Sequence, residues 1–177
     1  MAALVLVRPD ISYKEQWKNA IKLLTETDGR IIPSNLQADN FTEFLNKVND
    51  LASGKNLPNG YVPSELYFLV RKENPSVILG VTDLRLGTTY EIENYFGHAG
   101  GCILPPYRKQ KLGEQIIRLS LELLQRKGFQ SVVLTCENWN TSSRHAILHN
   151  GGEFIGESSF GNKRYEKYQI ALDNRLF

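Results

Sequence analysis

The chain has 177 residues, 41% of them hydrophobic, enough for one compact domain whose core needs no disulfide or metal. Its 21 Lys and Arg against 19 Asp and Glu leave a net charge of +2, too even to argue for a nucleic-acid partner, and no interleaved aromatic and basic stripe is visible. Cys102 and Cys136 sit in apolar runs without the spacing to His or further Cys that a zinc site or disulfide framework requires, so both are expected to be buried thiols in a reducing cytoplasm.

The apolar stretch within residues 1–9 is too short to span a bilayer and carries no basic leader or small-residue cleavage site, which predicts a cytoplasmic protein with no membrane partner. Residues 4–7 read as a strand, and residues 13–25 place Trp17, Ala20, Ile21 and Leu24 at helical spacing. A connection over 27–40 mixes Asp, Gly, Pro, Ser and Asn; Asn40 then caps a second amphipathic helix through Phe44, Leu45, Val48 and Leu51, stopped by Gly54. The loop 55–64 is turn-rich, with Pro58, Asn59-Gly60 and Pro63. Segments rich in β-formers follow at 66–71, 77–85 and 98–104, separated by Asn74-Pro75 and by a polar loop over 87–94, and predict an antiparallel meander.

Residues 112–127 form the strongest helix signal, with Leu112, Ile116, Leu119 and Leu123 on one stripe and Gly128 just past the end. A short apolar strand is expected at 131–136, and Asn140 stands where an N-cap would open a helix over 142–149, closed by Gly151-Gly152. Two last strands, 154–156 and 164–171, are joined by a turn at 158–162. There is no internal repeat. The order β-α-α-β-β-β-α-β-α-β-β predicts an α/β (α+β) fold, one mixed and mostly antiparallel sheet with helices on both faces, in a single domain over 1–177.

The most informative stretch is residues 102–114, Cys-Ile-Leu-Pro-Pro-Tyr-Arg-Lys-Gln-Lys-Leu-Gly-Glu, a strand that passes through a basic loop into the strongest helix. The first turn of a helix has N–H groups without intrahelical partners and the positive end of the macrodipole, so such a segment traps an anion such as a pyrophosphate. Arg108, Lys109 and Lys111 add side-chain charge, and Gly113 lets the backbone approach a phosphate oxygen. Over 107–127, Arg108, Lys109, Lys111, Arg118, Arg126 and Lys127 face only Glu114 and Glu122, a local charge of +4 that suggests a polyanion site.

Here the sequence resembles the GNAT N-acetyltransferase superfamily, whose signature is Arg or Gln, two residues, Gly, one residue, then Gly or Ala. Arg108 and Gly113 match, and Lys111 stands at the first Gly, where a positive φ would cost Lys roughly 1–2 kcal/mol. The segment 131–144 with Asn150-Gly151-Gly152 resembles that family's fifth strand and fourth helix, and residues 62–64, 66–71, Gly80, Arg85 and Gly97-His98 resemble one uncharacterised branch of it. The resemblance runs from Leu4 to Ala171.

The resemblance implies the acyl-CoA N-acyltransferase fold, with the fourth and fifth strands splayed around the pantetheine arm. It implies acetyl-CoA as cosubstrate, no metal, and transfer of acetyl to a primary amine by direct attack in a ternary complex. Main chain at Ile103 and Leu104 would bond the pantetheine amides, and Arg108, Lys109, Gln110, Lys111, Leu112, Gly113 and Glu114 would hold the pyrophosphate. Asn140 either bonds the CoA arm or only caps its helix, and Ser143 either contacts the arm or simply makes room.

His98 lies near the place where many relatives carry a Glu base, and a reference pKa of about 6.5 suits proton abstraction; the alternative is a hydrogen-bonded strand histidine. The position at which relatives often carry a Tyr to protonate the thiolate is Ile147, with Tyr165 and Tyr168 as substitutes, while His145 and His149 are expected to be solvent-exposed. The acceptor, a small-molecule amine, would meet the loop between the first two helices, residues 56–64 and the loop after Arg85, with Tyr61, Tyr67, Asp83, Arg85, Tyr90 and Glu91 as candidates. A homodimer fits the resemblance. A CoA-binding sensor without catalysis is the alternative function, motivated by Lys111 and Ile147.

Overall fold

The computed structural model describes residues 3–55 and 57–172. Seven strands and four helices alternate in the expected order: β1 Leu4–Val7, α1 Lys14–Asp28, α2 Phe41–Ser53, β2 Ser64–Arg71, β3 Gly80–Arg85, β4 Ala99–Ile103, α3 Leu112–Arg126, β5 Ser131–Glu137, α4 Thr141–His149, β6 Glu153–Phe160 and β7 Lys163–Ala171. Helix ends follow local chemistry. Asn40 accepts from the Glu43 N–H to open α2, while Gly29 and Gly54, both in the left-handed region, close α1 and α2.

The strands form a four-stranded sheet in the order β1-β2-β3-β4 and a three-stranded sheet in the order β5-β7-β6, with antiparallel pairing throughout each. The expected sheet is thus present in two parts, and the break falls between β4 and β5, where the resemblance implied a splay. Both faces are covered. Tyr13, Trp17, Ala20 and Leu24 of α1 pack with Phe41, Phe44 and Val48 of α2 onto Leu66, Phe68, Val70 and Val81. On the other face, Leu112 and Ile116 of α3 meet Leu69 and Leu79, and Leu121, Leu124 and Ile147 pack with Leu84, Val132, Leu134, Tyr168 and Ile170. A buried hydrogen bond of 3.1 Å between Thr82 and Ser120 ties β3 to α3.

Three segments differ from the sequence reading; in one, β6 runs on to Phe160, so the turn expected at 158–162 is confined to residues 161–162 before β7. The expected strand 77–85 becomes regular only at Gly80, after a turn in which the Leu79 N–H donates to the Leu69 carbonyl at 2.8 Å. The polar loop after β3 contains a π-helical turn, Ile92–Phe96, whose apolar residues the loop reading did not use. That turn lies against β5 through the Thr135 hydroxyl, which donates to the Tyr95 carbonyl at 2.8 Å, and against β7 through a 2.9 Å bond from Lys167 to Asn94. Both cysteines are free; burial pushes the Cys102 thiol up to about 12 and Cys136 to about 11. No helix among the described residues is long and apolar enough to cross a membrane.

Close approach of β3 and β4 depends on glycine. A Cβ at Gly101 would overlap the Val81 carbonyl oxygen and stand 2.8 Å from the Thr82 Cα. Gly101→Ala is therefore expected to push β4 off β3 and destabilise the protein by about 3 kcal/mol or more, read as a lowered urea midpoint. An unchanged midpoint would show that the two strands are not held this closely.

Candidate active site

Between β4 and β5 the main chain is joined at His98, one residue before β4. The His98 N–H donates to the Val133 carbonyl at 2.7 Å, and the Val133 N–H donates to His98 Nδ1 at 3.0 Å. The imidazole therefore takes the place of a main-chain acceptor where the two strands part. With Nδ1 accepting, Nε2 carries the hydrogen, and it lies 3.2 Å from the Thr88 hydroxyl. The ring is 3% exposed and stands edge-on to Phe129 with centroids 5.5 Å apart. Burial pushes its pKa below the ordinary 6.5. Beyond this vertex the strands share no ladder, so a wedge opens between them.

The β4–α3 connection carries two strained residues. Lys109 and Lys111 both occupy the left-handed region, with φ of 61° and 58°, and Lys111 immediately precedes α3. Alternation of left-handed residues with others turns successive N–H groups to one side, the geometry of an anion nest. The strain expected at Lys111 is thus real, and a second strained residue, Lys109, accompanies it. The local charge is smaller than the composition implied, because Arg118 and Arg126 pair with Glu122, Lys127 pairs with Glu65, and Arg108 pairs with Asp28. Lys109 and Lys111 are the cations of this segment with no ion pair among the described residues.

Arg108 is a tie rather than a free hook. Its guanidinium grips both oxygens of Asp28 at the end of α1, and its Nε donates to the Ile103 carbonyl at 3.0 Å. That hydrogen bond from Arg108 holds the Asp28 carboxyl below the usual range. A ligand amide at Ile103 must therefore share that carbonyl with Arg108. The Leu104 N–H is engaged by Leu79 at 2.9 Å, and its carbonyl accepts from the Tyr107 N–H, also at 2.9 Å. Gln110 reaches the Pro106 carbonyl at 3.5 Å, and Leu112 is part of the core. At Gly113 a Cβ would meet only the Ala146 Cβ at 3.8 Å, an ordinary contact in the α3–α4 packing.

On α4, Asn140 accepts from the Ser143 N–H at 3.1 Å, so its capping role is met, with Ser143 half-buried beside it. Glu114 stands between His145 at 3.5 Å and His149 at 3.3 Å, and both rings are exposed. Ile147 is fully buried in the core, where it offers no proton. The Tyr168 hydroxyl donates to Glu166 at 2.8 Å and is pushed up to about 12, by burial and then by that carboxylate.

The opposite mouth of the wedge collects segments far apart in the chain. From the loop after α1, Arg30 reaches Glu137 at the end of β5 at 3.2 Å and lies over the Trp139 ring. From the other side comes an aromatic rim, Tyr90–Tyr95–Phe160–Phe96, with neighbouring centroids between 5.1 and 6.1 Å. Arg85 crosses beneath it, donating to the Phe96 and Gly97 carbonyls at 3.1 and 3.0 Å. Asp83 lies alongside, buried.

Tyr61 is exposed, while Tyr67 packs on the α3 face and donates to Glu65 at 2.6 Å, away from this mouth. Glu91 begins the π-helical turn. Asn56, within the loop expected to meet an acceptor, lies outside the described residues. Tyr95, Phe96, Phe160, Arg30 and Trp139 were not singled out from sequence; the aromatic run around 95–96 beside a glycine was the available signal.

His98 generates the first expectation for this site. Because its folded pKa lies below the unfolded one, the unfolded chain binds more protons between the two values, and stability falls as pH drops below 6.5. Removing the ring leaves the Val133 N–H unpaired, so His98→Ala should lose about 2–4 kcal/mol together with that pH dependence, measured by urea melts at several pH values. Melts that keep the same pH slope would dismiss the latch. The second concerns strain: Lys111→Gly should gain about 1 kcal/mol, a rise in Tm of about 2–4 °C, and an unchanged or lowered Tm would show that the left-handed lysine is compensated in the fold.

A sequence model of the acetyltransferase (GNAT) family matches residues 35–151. A search of curated proteins finds none that matches the chain. Among solved structures, the putative acetyltransferase yncA from Salmonella typhimurium with its cofactor acetyl-CoA is similar at 12% identity and a TM-score of 0.65, covering 99% of this chain and 97% of the other. The ribosomal L7/L12 alpha-N-protein acetyltransferase RimL in complex with coenzyme A is similar at 14% identity and a TM-score of 0.71, with coverages of 99% and 97%. Mutant forms of the spermidine/spermine N-acetyltransferase SpeG from Vibrio cholerae are similar at 12% identity and a TM-score of 0.61, with coverages of 96% and 94%. With the family model spanning about two thirds of the sequence, the chain belongs to the GNAT acetyltransferase family.

Proposed function

We propose that the protein binds acetyl-CoA in the wedge between β4 and β5 and transfers its acetyl group to a primary amine by direct attack in a ternary complex. The observation that carries this reading is the unpaired gap between two strands, closed at one end by His98 and leading at the other to the strained lysine loop at the foot of α3. Strand edges without a ladder offer main-chain donors and acceptors to an amide-bearing arm, and the loop offers N–H groups and two cations to its phosphates. Arg108, Gln110, Leu112, Gly113 and Glu114 belong to the same loop and first turn. Asn140 and Ser143 would flank the arm from α4.

In the reaction the amine nitrogen attacks the thioester carbonyl carbon, the C–S bond breaks, and the proton lost by the amine balances the one gained by the departing thiolate. Main-chain N–H groups along β4 would stabilise the oxygen as it gains charge. The amine must be uncharged to attack. For His98 to take the amine's proton, the Val133 N–H must first release Nδ1 or the Nε2 hydrogen must first pass to the Thr88 hydroxyl, because in the latched ring Nδ1 accepts from Val133 and Nε2 carries the hydrogen. Ile147 cannot protonate the thiolate, and Tyr168 is held by Glu166, which supports a proton delivered by solvent.

Those features also favour a second reading, a CoA-binding protein without turnover. Release of thiol from acetyl-CoA across a library of amines separates the two: turnover of any amine supports the enzyme, and binding without turnover supports the sensor. The cofactor site has its own test. Arg108→Glu removes the tie to Asp28 and reverses charge beside the loop, so calorimetry should show acetyl-CoA bound at least about 10-fold more weakly. Unchanged affinity would sink the assignment of the phosphate loop.

A further inference from the structure

One side-chain oxygen on β3, beside the β4 edge of the wedge, is buried and has no partner among the described residues. Asp83 is 1% exposed, and its Oδ1 receives no hydrogen bond. Its other oxygen stands 3.8 Å from an Arg85 nitrogen, beyond hydrogen-bond range. Arg85 cannot close the gap where it stands. One of its terminal nitrogens is engaged by the Phe96 and Gly97 carbonyls, and the guanidinium lies over Gly100, where a Cβ would come within 3.3 Å of it. A buried carboxylate oxygen left in this state is costly, and calls for a donor from elsewhere.

Its position says what kind of donor. Asp83 faces Gly100 across the β3–β4 pair and, two residues from Val81, lies on the face covered by α1 and α2. This is the side of the aromatic rim of Tyr90, Tyr95, Phe96 and Phe160, three of whose rings are exposed. The Asp83–Arg85 pair carries no net charge, so the free oxygen can accept an N–H while the guanidinium beside it disfavours a second cation. An uncharged amine is the form that acetyl transfer needs.

We propose that Asp83 is the acceptor-binding group, taking an N–H of a primary monoamine at Oδ1, and that the rim holds an apolar or aromatic body on the same acceptor. This rests on the transferase reading of the wedge and adds the acceptor class to it. The test is calorimetric titration of 2-phenylethylamine into the CoA-loaded protein, as wild type, as Asp83→Asn and as the double variant Asp83→Leu/Arg85→Met. The double variant replaces the ion pair with apolar side chains of similar size, a change folds commonly tolerate, and so keeps the test valid if Asp83→Asn alone does not fold.

The amine is expected to bind the wild type and to bind both variants roughly 10- to 100-fold more weakly, with CoA affinity unchanged. Equal amine affinity in the double variant would show that Asp83 serves only as the counter-charge of Arg85, and no binding to the wild type would likewise overturn the proposal. Thiol release from acetyl-CoA, followed on the same samples, separates this inference from the reading beneath it. Amine bound through Asp83, with no thiol released for it or for any amine of the library, ends the transferase reading and leaves Asp83 an amine-binding group. Release with an unchanged KM in the variants ends the inference alone.

Discussion

The pairing of β4 with β5 is the constraint from which the site follows. Within each sheet, neighbouring strands pair along their length, interrupted by one bulge between Phe154 and Gly156 of β6, with Leu4 against Arg71 in one sheet and Ser131 against Ala171 in the other. Between the sheets that continuity stops at His98, whose backbone donates to Val133 while its ring accepts from the same residue. An imidazole there holds the strands together at one point without committing them to a ladder. Two inner strand edges are thereby left side by side, and unpaired main-chain groups in a protein interior are costly unless water or a ligand completes them. A linear, amide-bearing arm is the chemistry that fits such a gap.

Strain and charge are concentrated where that gap meets α3. Two left-handed lysines in three residues cost about 1–2 kcal/mol each against an ordinary turn. Most neighbouring cations are ion-paired, Arg118 and Arg126 sharing Glu122 and Lys127 meeting Glu65, so the cations without an ion pair among the described residues are those at the strained positions. Arg108 contributes differently. By gripping Asp28 it fixes the end of α1 to the loop, and by donating to Ile103 it fixes the loop to the last residue of β4. The loop is held from two sides before any ligand arrives, which lowers the ordering cost of binding.

The sequence was most readable where structure is local. Asn40 with Gly54, the α3 stripe from Leu112 to Leu123, and Asn140 before α4 are short-range signals, and each element formed where its cap or period placed it. The strained Lys111 was legible for the same reason, since a motif position demands a backbone conformation. Distant partners were not. Nothing within residues 95–100 shows that His98 will meet Val133, 35 positions away, or that Arg108 will meet Asp28 across 80. The π-helical turn was hidden because Ile92, Tyr95 and Phe96 are spaced for neither a strand nor an ordinary helix, and find their partners on β5, β6 and β7.

The two mouths of the wedge therefore differ in kind. The proposed cofactor side is made of two short stretches of chain, residues 102–114 and 140–143, and would rely chiefly on main-chain groups whose direction is set by backbone conformation. The proposed acceptor side is assembled from the loop after α1, the end of β3, the π-helical turn and the β6–β7 hairpin, and would rely on side chains. Main-chain sites tolerate wide change in sequence because every residue carries the same groups, whereas a side-chain site changes its ligand with one or two substitutions. Structures similar to this chain at 12–14% identity accordingly include one named for a ribosomal protein and another for spermidine and spermine. In this chain the groups proposed to decide the acceptor are then Asp83 and Arg85, which place opposite charges beneath aromatic rings.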